Sequence, residues 1–147
     1  MTLMEEEMDV IRARLTAVPA SAESLAGVLD AALDGFEALL AGCRASEDRS
    51  VESFAAFAFA AAAAAAGRQI LLTAPSLPPT RGKASSQSAC VQSDLDSVGD
   101  MFADLAGVIS SQLSLAAGCA QSSSDQAACV DAAREAARIR ELLDRSG

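Results

Sequence analysis

The sequence contains no histidine, and this absence limits the chemistry that its other side chains can perform. Histidine is the commonest general base in enzymes and the commonest side chain that binds transition metals. A Ser-His-Asp triad, a Cys-His pair, an H-E-x-x-H zinc site and the di-iron motif of ferritin-like bundles are therefore excluded within this chain. An enzyme would have to use Asp, Glu, Cys or Ser without imidazole, and we identify no such catalytic set and no cofactor motif.

Cysteines are the next reactive groups, and none of the four is spaced as C-x-x-C. We interpret Cys43, Cys90, Cys119 and Cys129 as thiols that pack as small apolar side chains, because no signal peptide directs the chain to an oxidising compartment. A Cys119–Cys129 disulfide that clamps the last helical hairpin is one alternative, and a metal-thiolate cluster is another. An antiparallel bundle would bring Cys43, Cys119 and Cys129 toward one end.

Three aspartates, Asp96, Asp100 and Asp104, are spaced by four residues and would lie on one face of a helix. Like charges at this spacing destabilise a helix by roughly 0.2–0.5 kcal/mol per pair. We interpret the cluster as a solvated acidic face, which a basic partner or a hard cation could stabilise. The three carboxylates are a candidate cation site, although no second helix supplies an obvious matching set of ligands.

A serine follows the longest predicted loop, in the segment Asp94-Leu95-Asp96-Ser97-Val98. This segment resembles the Asp-Ser-Leu attachment motif of acyl and peptidyl carrier proteins, with Val98 in place of the usual leucine. The serine of that family carries phosphopantetheine at the start of a helix, so the resemblance implies that Ser97 is an attachment site. The alternative is an ordinary serine in the first turns of a helix.

The formal net charge of −9 and the pI near 4.3 predict no nucleic-acid partner, because such partners require clustered Lys and Arg. The N-terminal segment from Met1 to Glu7 is acidic, whereas a signal peptide begins with positive charge. The longest apolar run, Phe54 to Gly67, is shorter than the roughly 20 residues that cross a bilayer. We therefore expect a soluble, cytoplasmic protein without a membrane span.

Apolar residues recur at three- and four-residue steps in five segments, which predicts an all-α fold. The first helix should begin at Leu3, after a capping box at Thr2 and Glu5, and end before Pro19. The second should begin near Ser21. We expect an up-down bundle of four long helices plus the N-terminal helix, all contributing to one core.

The third predicted helix is unusual, because the segment from Phe54 to Ala66 contains no polar side chain. A helix that is apolar on all sides is normally buried on all sides. We therefore expect this segment to be the central helix of the bundle. Imperfect packing among so many alanines would leave an apolar cavity.

The chain has the length of one domain, 1–147, with a first helical half at 1–74, a Pro/Gly/Ser-rich linker at 75–88 and a second helical half at 89–147. A shift of 76 residues aligns Ala41-Gly42-Cys43 with Ala117-Gly118-Cys119. This similarity leaves open whether the fold is a duplicated helical hairpin or five unrelated helices in series.

These observations favour a non-catalytic helical subunit that binds other proteins, as an adaptor, a chaperone-like protein or a homo-oligomer. A partner or a second copy could contact the first helix or a strip of small residues on the second. The candidate interface residues are Met4, Met8, Ile11, Leu15, Gly27, Ala31 and Gly35. The alternative is a carrier of a small hydrophobic ligand, held in an alanine-lined cavity or attached to Ser97.

Overall fold

The computed structural model describes residues 3–17, 24–49, 51–77 and 95–144, including the side chains of all of these except 3–5, 95 and 96. Within these residues the chain forms five α-helices and no β-strand. They are α1 (Leu3–Ala17), α2 (Leu25–Glu47), α3 (Val51–Leu72), α4 (Leu95–Cys119) and α5 (Ser123–Asp144). The predicted all-α bundle of five helices is confirmed.

Local sequence accounts for the start of α5 and only partly for the start of α2. The Asp125 backbone N–H donates a 3.1 Å hydrogen bond to Ser122 Oγ, so a serine caps the first turn of α5. The residue at the start of α2 is Ser24, whereas the sequence suggested Ser21. Thr2, Pro19 and Ser21 lie outside the described residues.

Helices α2, α3, α5 and α4 form a four-helix ring in that cyclic order, and each packs against its two neighbours in the ring. Helices α3 and α4 lie on one diagonal. The rings of Phe57 and Phe102 meet there edge to face, with their centroids 6.2 Å apart. Helix α1 packs outside the ring, against α2 and α4.

Hydrogen bonds at one end of the bundle show in which direction each helix runs. Asp125, in the first turn of α5, accepts hydrogen bonds from the backbone N–H and the hydroxyl of Ser76, at 3.0 and 2.5 Å. Ser76 follows the end of α3, so the start of α5 and the adjoining end of α4 lie beside the end of α3. Helices α3 and α4 therefore run parallel, and neighbours around the ring are antiparallel.

This topology corrects the expected location of the cysteines. Because α3 and α4 are parallel, α2 and α4 end at opposite ends of the bundle. Cys43 lies near the end of α2, whereas Cys119 ends α4 and Cys129 lies in the first turns of α5. The expectation that all three gather at one end is wrong, because it assumed that α4 runs antiparallel to α3.

One apolar core extends through all five helices, and the apolar residues that recur at three- and four-residue steps along α2, α4 and α5 are buried in it. The buried residues of this pattern are Leu25, Leu29, Ala32, Phe36, Leu39, Cys43, Val98, Phe102, Leu105, Ile109, Leu113, Cys129, Ala132, Ala136, Ile139 and Leu143. The α2/α3 hairpin and the α4/α5 hairpin both contribute side chains to this core. Each hairpin therefore covers apolar surface of the other, and burial of that surface is the main contribution to the stability of the fold.

Two arginines attach α1 to the bundle from opposite sides of its buried stripe. Arg12 pairs with Asp104 of α4, and Arg14 pairs with Asp34 and Asp30 of α2, at 2.7 and 3.2 Å. All of these side chains are partly exposed, so each pair contributes at most about 1 kcal/mol. The pairs direct the orientation of α1 more than they stabilise the fold.

Positions aligned by the internal similarity are not equally buried. Leu39 is fully buried, whereas its counterpart Leu115 is 53% exposed, and Cys43 is buried where Cys119 is half-buried. Buried residues that match, such as Leu29 and Leu105, are also expected in any two packed helices. The duplicated hairpin and the division at 75–88 stay predictions.

Candidate functional site

Helix α3 is exposed along one side, which corrects the expectation that Phe54 to Ala66 is buried all round. Phe59 is 63% exposed and Phe54 is 48% exposed, whereas Phe57 is 2% exposed. Helix α3 occupies one corner of the ring, where α2 and α5 cover its flanks and α4 faces it across the diagonal. Its remaining side has no neighbour among the described residues.

We call this uncovered side the outer face of α3. Its exposed and half-buried members are Val51, Phe54, Ala55, Ala58, Phe59, Ala62, Ala65, Ala66, Gln69 and Leu72. At 3.6 residues per turn these positions fall within a sector of about 140°, and Gln69 is the one polar side chain among them. Continuous exposed apolar surfaces of this kind mark binding sites for proteins, ligands or membranes.

A groove of about 520 Å³ runs between α3 and α5 at the edge of the outer face. Helix α3 contributes Phe59, Ala62, Ala63 and Ala66, and α5 contributes Leu142 to the apolar lining. The alanines make the floor of the groove low, because a methyl group projects little from the helix backbone. Phe59 projects beside this floor, so the groove has an aromatic wall and an apolar base.

Charged side chains of α5 form the opposite edge of the groove. They are Glu135, Arg138 and Glu141. Arg138 Nη1 lies 3.9 Å from Glu135 Oε1, which is an ion pair but too long for a hydrogen bond. Glu135 Oε1 is buried without a hydrogen-bond partner, so this edge is incompletely satisfied within the chain.

The apolar stripe on the first helix, which the sequence suggested as an interface, packs against other helices of the same chain. Met8, Ile11 and Leu15 are buried in the core, and the side chain of Met4 is not among those described. Burial in the chain's own core leaves these three side chains unavailable to a partner in this fold. Helix α1 is therefore an internal example of how the bundle binds an amphipathic helix.

The small residues of α2 allow this close packing. Ala31 and Gly35 are buried, whereas Gly27 is exposed. A Cβ atom placed on Gly35 would lie 2.6 Å from Ile109 Cδ1 of α4 and 3.6 Å from Ile11 Cγ2 of α1. The absence of a side chain at Gly35 thus makes room for both neighbouring helices.

The predicted acidic face on α4 is partly neutralised from within the chain. Asp100 and Asp104 are exposed, and Asp104 pairs with Arg12 of α1. The side chain of Asp96 is outside the described set. Among the residues that the structure describes, no group of three or more Cys, Asp and Glu side chains is placed to hold a metal ion.

Ser97 lies in the first turn of α4 and is exposed. This position matches the helix start that the carrier-protein resemblance implies. The groove is built from α3 and α5, so the structure does not make Ser97 part of that site. Attachment at Ser97 stays a prediction.

The structure has Cys43, Cys119 and Cys129 as thiols and does not form the alternative Cys119–Cys129 disulfide. Cys129 lies six residues into α5, about 9 Å along the helix axis from its start, and is buried in the core. Burial, and secondarily the charge of Glu47, raises the pKa of Cys43 from 9.0 to about 12. Burial and the Asp125 charge raise the pKa of Cys129 to about 11. Cys90 is not among the described residues.

These environments predict selective thiol reactivity. In a Cys90→Ser variant at about pH 8, a disulfide-exchange reagent should modify Cys119 in the folded protein and reach Cys43 and Cys129 only after denaturation, because the thiolate is the reactive form. Folding favours the protonated form of the Cys43 thiol. This preference stabilises the folded state fully below pH 9.0, and the stabilisation is lost as the pH rises toward 12. Mass spectrometry of the labelled peptides tests this assignment, and rapid native labelling of Cys43 would contradict it.

Two helical segments, Val51–Leu72 and Ser97–Cys119, have the length and apolar composition of membrane-spanning helices. Within this fold, 39% and 44% of their most apolar stretches are buried. Core helices of soluble proteins share these properties, so length and composition do not distinguish the two environments.

Sequence reasoning identified the segment that carries the groove but not the groove itself. A strongly apolar segment with no polar side chain marked α3, yet nothing within that segment showed which side faces the core. The spacing of the α5 residues Glu135, Arg138 and Glu141 in the sequence indicates only a charged side of a helix that faces solvent. No protein-family model matches this sequence, and no curated protein or solved structure matches it significantly.

Proposed function

We propose that this chain is a non-catalytic interaction subunit that binds another protein through the outer face of α3 and the groove beside α5. The observation that carries this proposal is the exposure of Phe54 and Phe59 on a helix face with almost no polar side chains. Aromatic side chains beside small residues are typical of the central part of protein interfaces, where burial of a few anchors provides most of the affinity.

The charge of the chain supports a protein partner over a membrane surface. The net charge is −9, and cytoplasmic membrane surfaces are also negative, so electrostatic repulsion opposes docking on lipid. The edge of the groove carries both signs of charge, from Glu135, Arg138 and Glu141. Mixed charges around an apolar centre suit the polar rim of a protein interface.

A second candidate function is the transport of a small hydrophobic ligand. The groove volume of about 520 Å³ falls within the range of small-molecule sites, roughly 300–1,000 Å³. Its lining of Phe59, alanines and Leu142 is apolar, and Arg138 could pair with an acidic head group. Native mass spectrometry of the protein purified from its own host tests this candidate, since a carrier should retain a ligand.

Site-specific photo-cross-linking tests the protein-interaction proposal. A benzophenone amino acid at position 59 keeps the aromatic character of Phe59, and the same group at Leu115 provides a matched control on an exposed apolar residue elsewhere. After irradiation in the host cell, we expect an adduct with one defined protein from position 59 and not from position 115. Tandem mass spectrometry identifies that protein.

Equal labelling from both positions, or no protein adduct from position 59, would refute the proposal. An adduct from position 59 with twice the mass of the chain would show that the groove binds a second copy of this chain. The converse experiment places the cross-linker in the captured partner. It should recover this chain and locate the partner residues that contact the groove.

A further inference from the structure

We infer that the element of the partner that occupies the α3/α5 groove is an amphipathic α-helix that carries arginines beside a narrow apolar stripe, as α1 does with Arg12 and Arg14. This inference rests on the proposed interaction function and specifies the structure that would be bound. It is drawn from the two opposite edges of the four-helix ring. The α2/α4 edge holds α1, and the α3/α5 edge carries the groove.

The packing of α1 shows what this bundle requires of a bound helix. Its stripe of Met8, Ile11 and Leu15 is buried, and Ile11 approaches a small residue, Gly35, on α2. Arg12 and Arg14 extend from the two sides of the stripe to acidic side chains on α4 and α2. The occupied edge therefore combines a floor of small residues with acidic residues on both helices.

The α3/α5 edge also combines a floor of small residues with acidic side chains, which here lie on α5 alone. Ala62 and Ala66 form a floor of small residues on which a helix can lie close to α3. Glu135 and Glu141 border the groove on α5, so the edge has two acidic side chains to one basic side chain, Arg138. A helix with an apolar stripe would cover the floor, and an arginine beside that stripe would donate to Glu135 Oε1, which has no hydrogen-bond partner among the described residues.

The occupant is a helix of another protein rather than α1 of a second copy. In each copy, the stripe of α1 is already buried in its own core. A second copy could supply its α1 only by giving up these contacts and the ion pairs of Arg12 and Arg14. A separate protein with an unpartnered helix pays no such cost.

A direct probe of this chemistry is a synthetic peptide of residues 3–17 in which glutamine replaces Glu5, Glu6 and Glu7, so that only Asp9 opposes the charges of Arg12 and Arg14. We expect the fluorescently labelled peptide to bind the full chain with a Kd on the order of 100 µM or tighter. The variant Phe59→Glu should weaken binding about tenfold or more, and Ala62→Arg should do the same by filling the floor. Leu115→Glu, on an exposed apolar residue outside the groove, should leave the Kd unchanged.

Two matched controls define the specificity of the probe. A peptide with serine in place of Met8, Ile11 and Leu15 should not bind, because it lacks the apolar stripe. A peptide with glutamine in place of Arg12 and Arg14 should bind more weakly, and the double variant Glu135→Gln, Glu141→Gln should be insensitive to that change. Circular dichroism of each variant chain checks that the bundle is folded.

Several results would overturn the inference while leaving the interaction function testable by cross-linking. They are the absence of saturable peptide binding up to about 1 mM, and binding that Phe59→Glu does not weaken. Sedimentation showing a dimer that Phe59→Glu dissociates would assign the groove to a second copy. Phe59-dependent flotation with neutral phosphatidylcholine vesicles would assign it to lipid. An adduct at position 59 without peptide binding would confirm a partner but reject an α1-like helix.

Discussion

Phe57→Asp should leave the protein largely unfolded, because this substitution acts on the centre of the four-helix ring. Phe57 is 2% exposed and meets Phe102 edge to face across the diagonal. Removing a buried aromatic ring costs about 3–5 kcal/mol, and placing an unpaired carboxylate in the core adds several more. The total approaches the whole stability of a typical domain, about 5–15 kcal/mol. Urea unfolding followed by far-ultraviolet circular dichroism measures the loss.

Phe59→Asp is the matched control for this prediction. Both substitutions place the same charge on α3, two residues apart, but Phe59 lies on the outer face and is 63% exposed. We expect its free energy of unfolding to stay within about 0.5 kcal/mol of the original value. If Phe59→Asp destabilised the protein as much as Phe57→Asp, the outer face would have to be covered in the folded chain, and the proposed site would be rejected.

Gly67→Ala should destabilise the protein by about 1–3 kcal/mol or more, although alanine is the better helix former. A Cβ atom on Gly67 would lie within 2.8 Å of three ring atoms of Phe36. Phe36 is fully buried in α2, so its ring cannot move aside without displacing other core side chains. The overpacking outweighs the gain of about 1 kcal/mol from helix propensity. The shift in the urea midpoint measures the net effect.

Gly118→Ala provides the comparison, because a Cβ placed on Gly118 would meet no described atom within 4 Å apart from its chain neighbours and the backbone of its own helix. Here only helix propensity acts, and we expect a change between zero and about 1 kcal/mol in favour of the folded state. Equal effects at the two glycines would show that α2 and α3 do not approach closely at Phe36. Stabilisation by Gly67→Ala would contradict the packing of these helices directly.

The fold could be predicted from periodicity where each helix has a polar side and an apolar side. This contrast correctly indicated the inward residues of α2, α4 and α5, such as Phe36, Ile109 and Ile139. The relative direction of α3 and α4 could not be predicted, because a long connection allows either direction. The hydrogen bonds between Ser76 and Asp125, which reveal that direction, join residues 49 apart in sequence.

The candidate site was hidden for a different physical reason. Hydrophobic periodicity locates the solvent-facing side of a helix by its polar residues, and α3 has none between Phe54 and Ala66. Phe57 and Phe59 are equally apolar, and only the packing of α2, α4 and α5 decides that one is buried and the other exposed. The sequence predicted an alanine-lined apolar cavity within the bundle, whereas the alanine-lined groove lies on its outside.

The parallel course of α3 and α4 also affects the order in which the molecule can fold. The contacts of each antiparallel hairpin form between segments joined by a few residues. The pair Phe57–Phe102 and the bonds from Ser76 to Asp125 instead bring together segments from different halves of the chain. Closing such a long loop costs entropy before any of these contacts is made. We therefore expect docking of two preformed hairpins, rather than helix formation, to limit the folding rate.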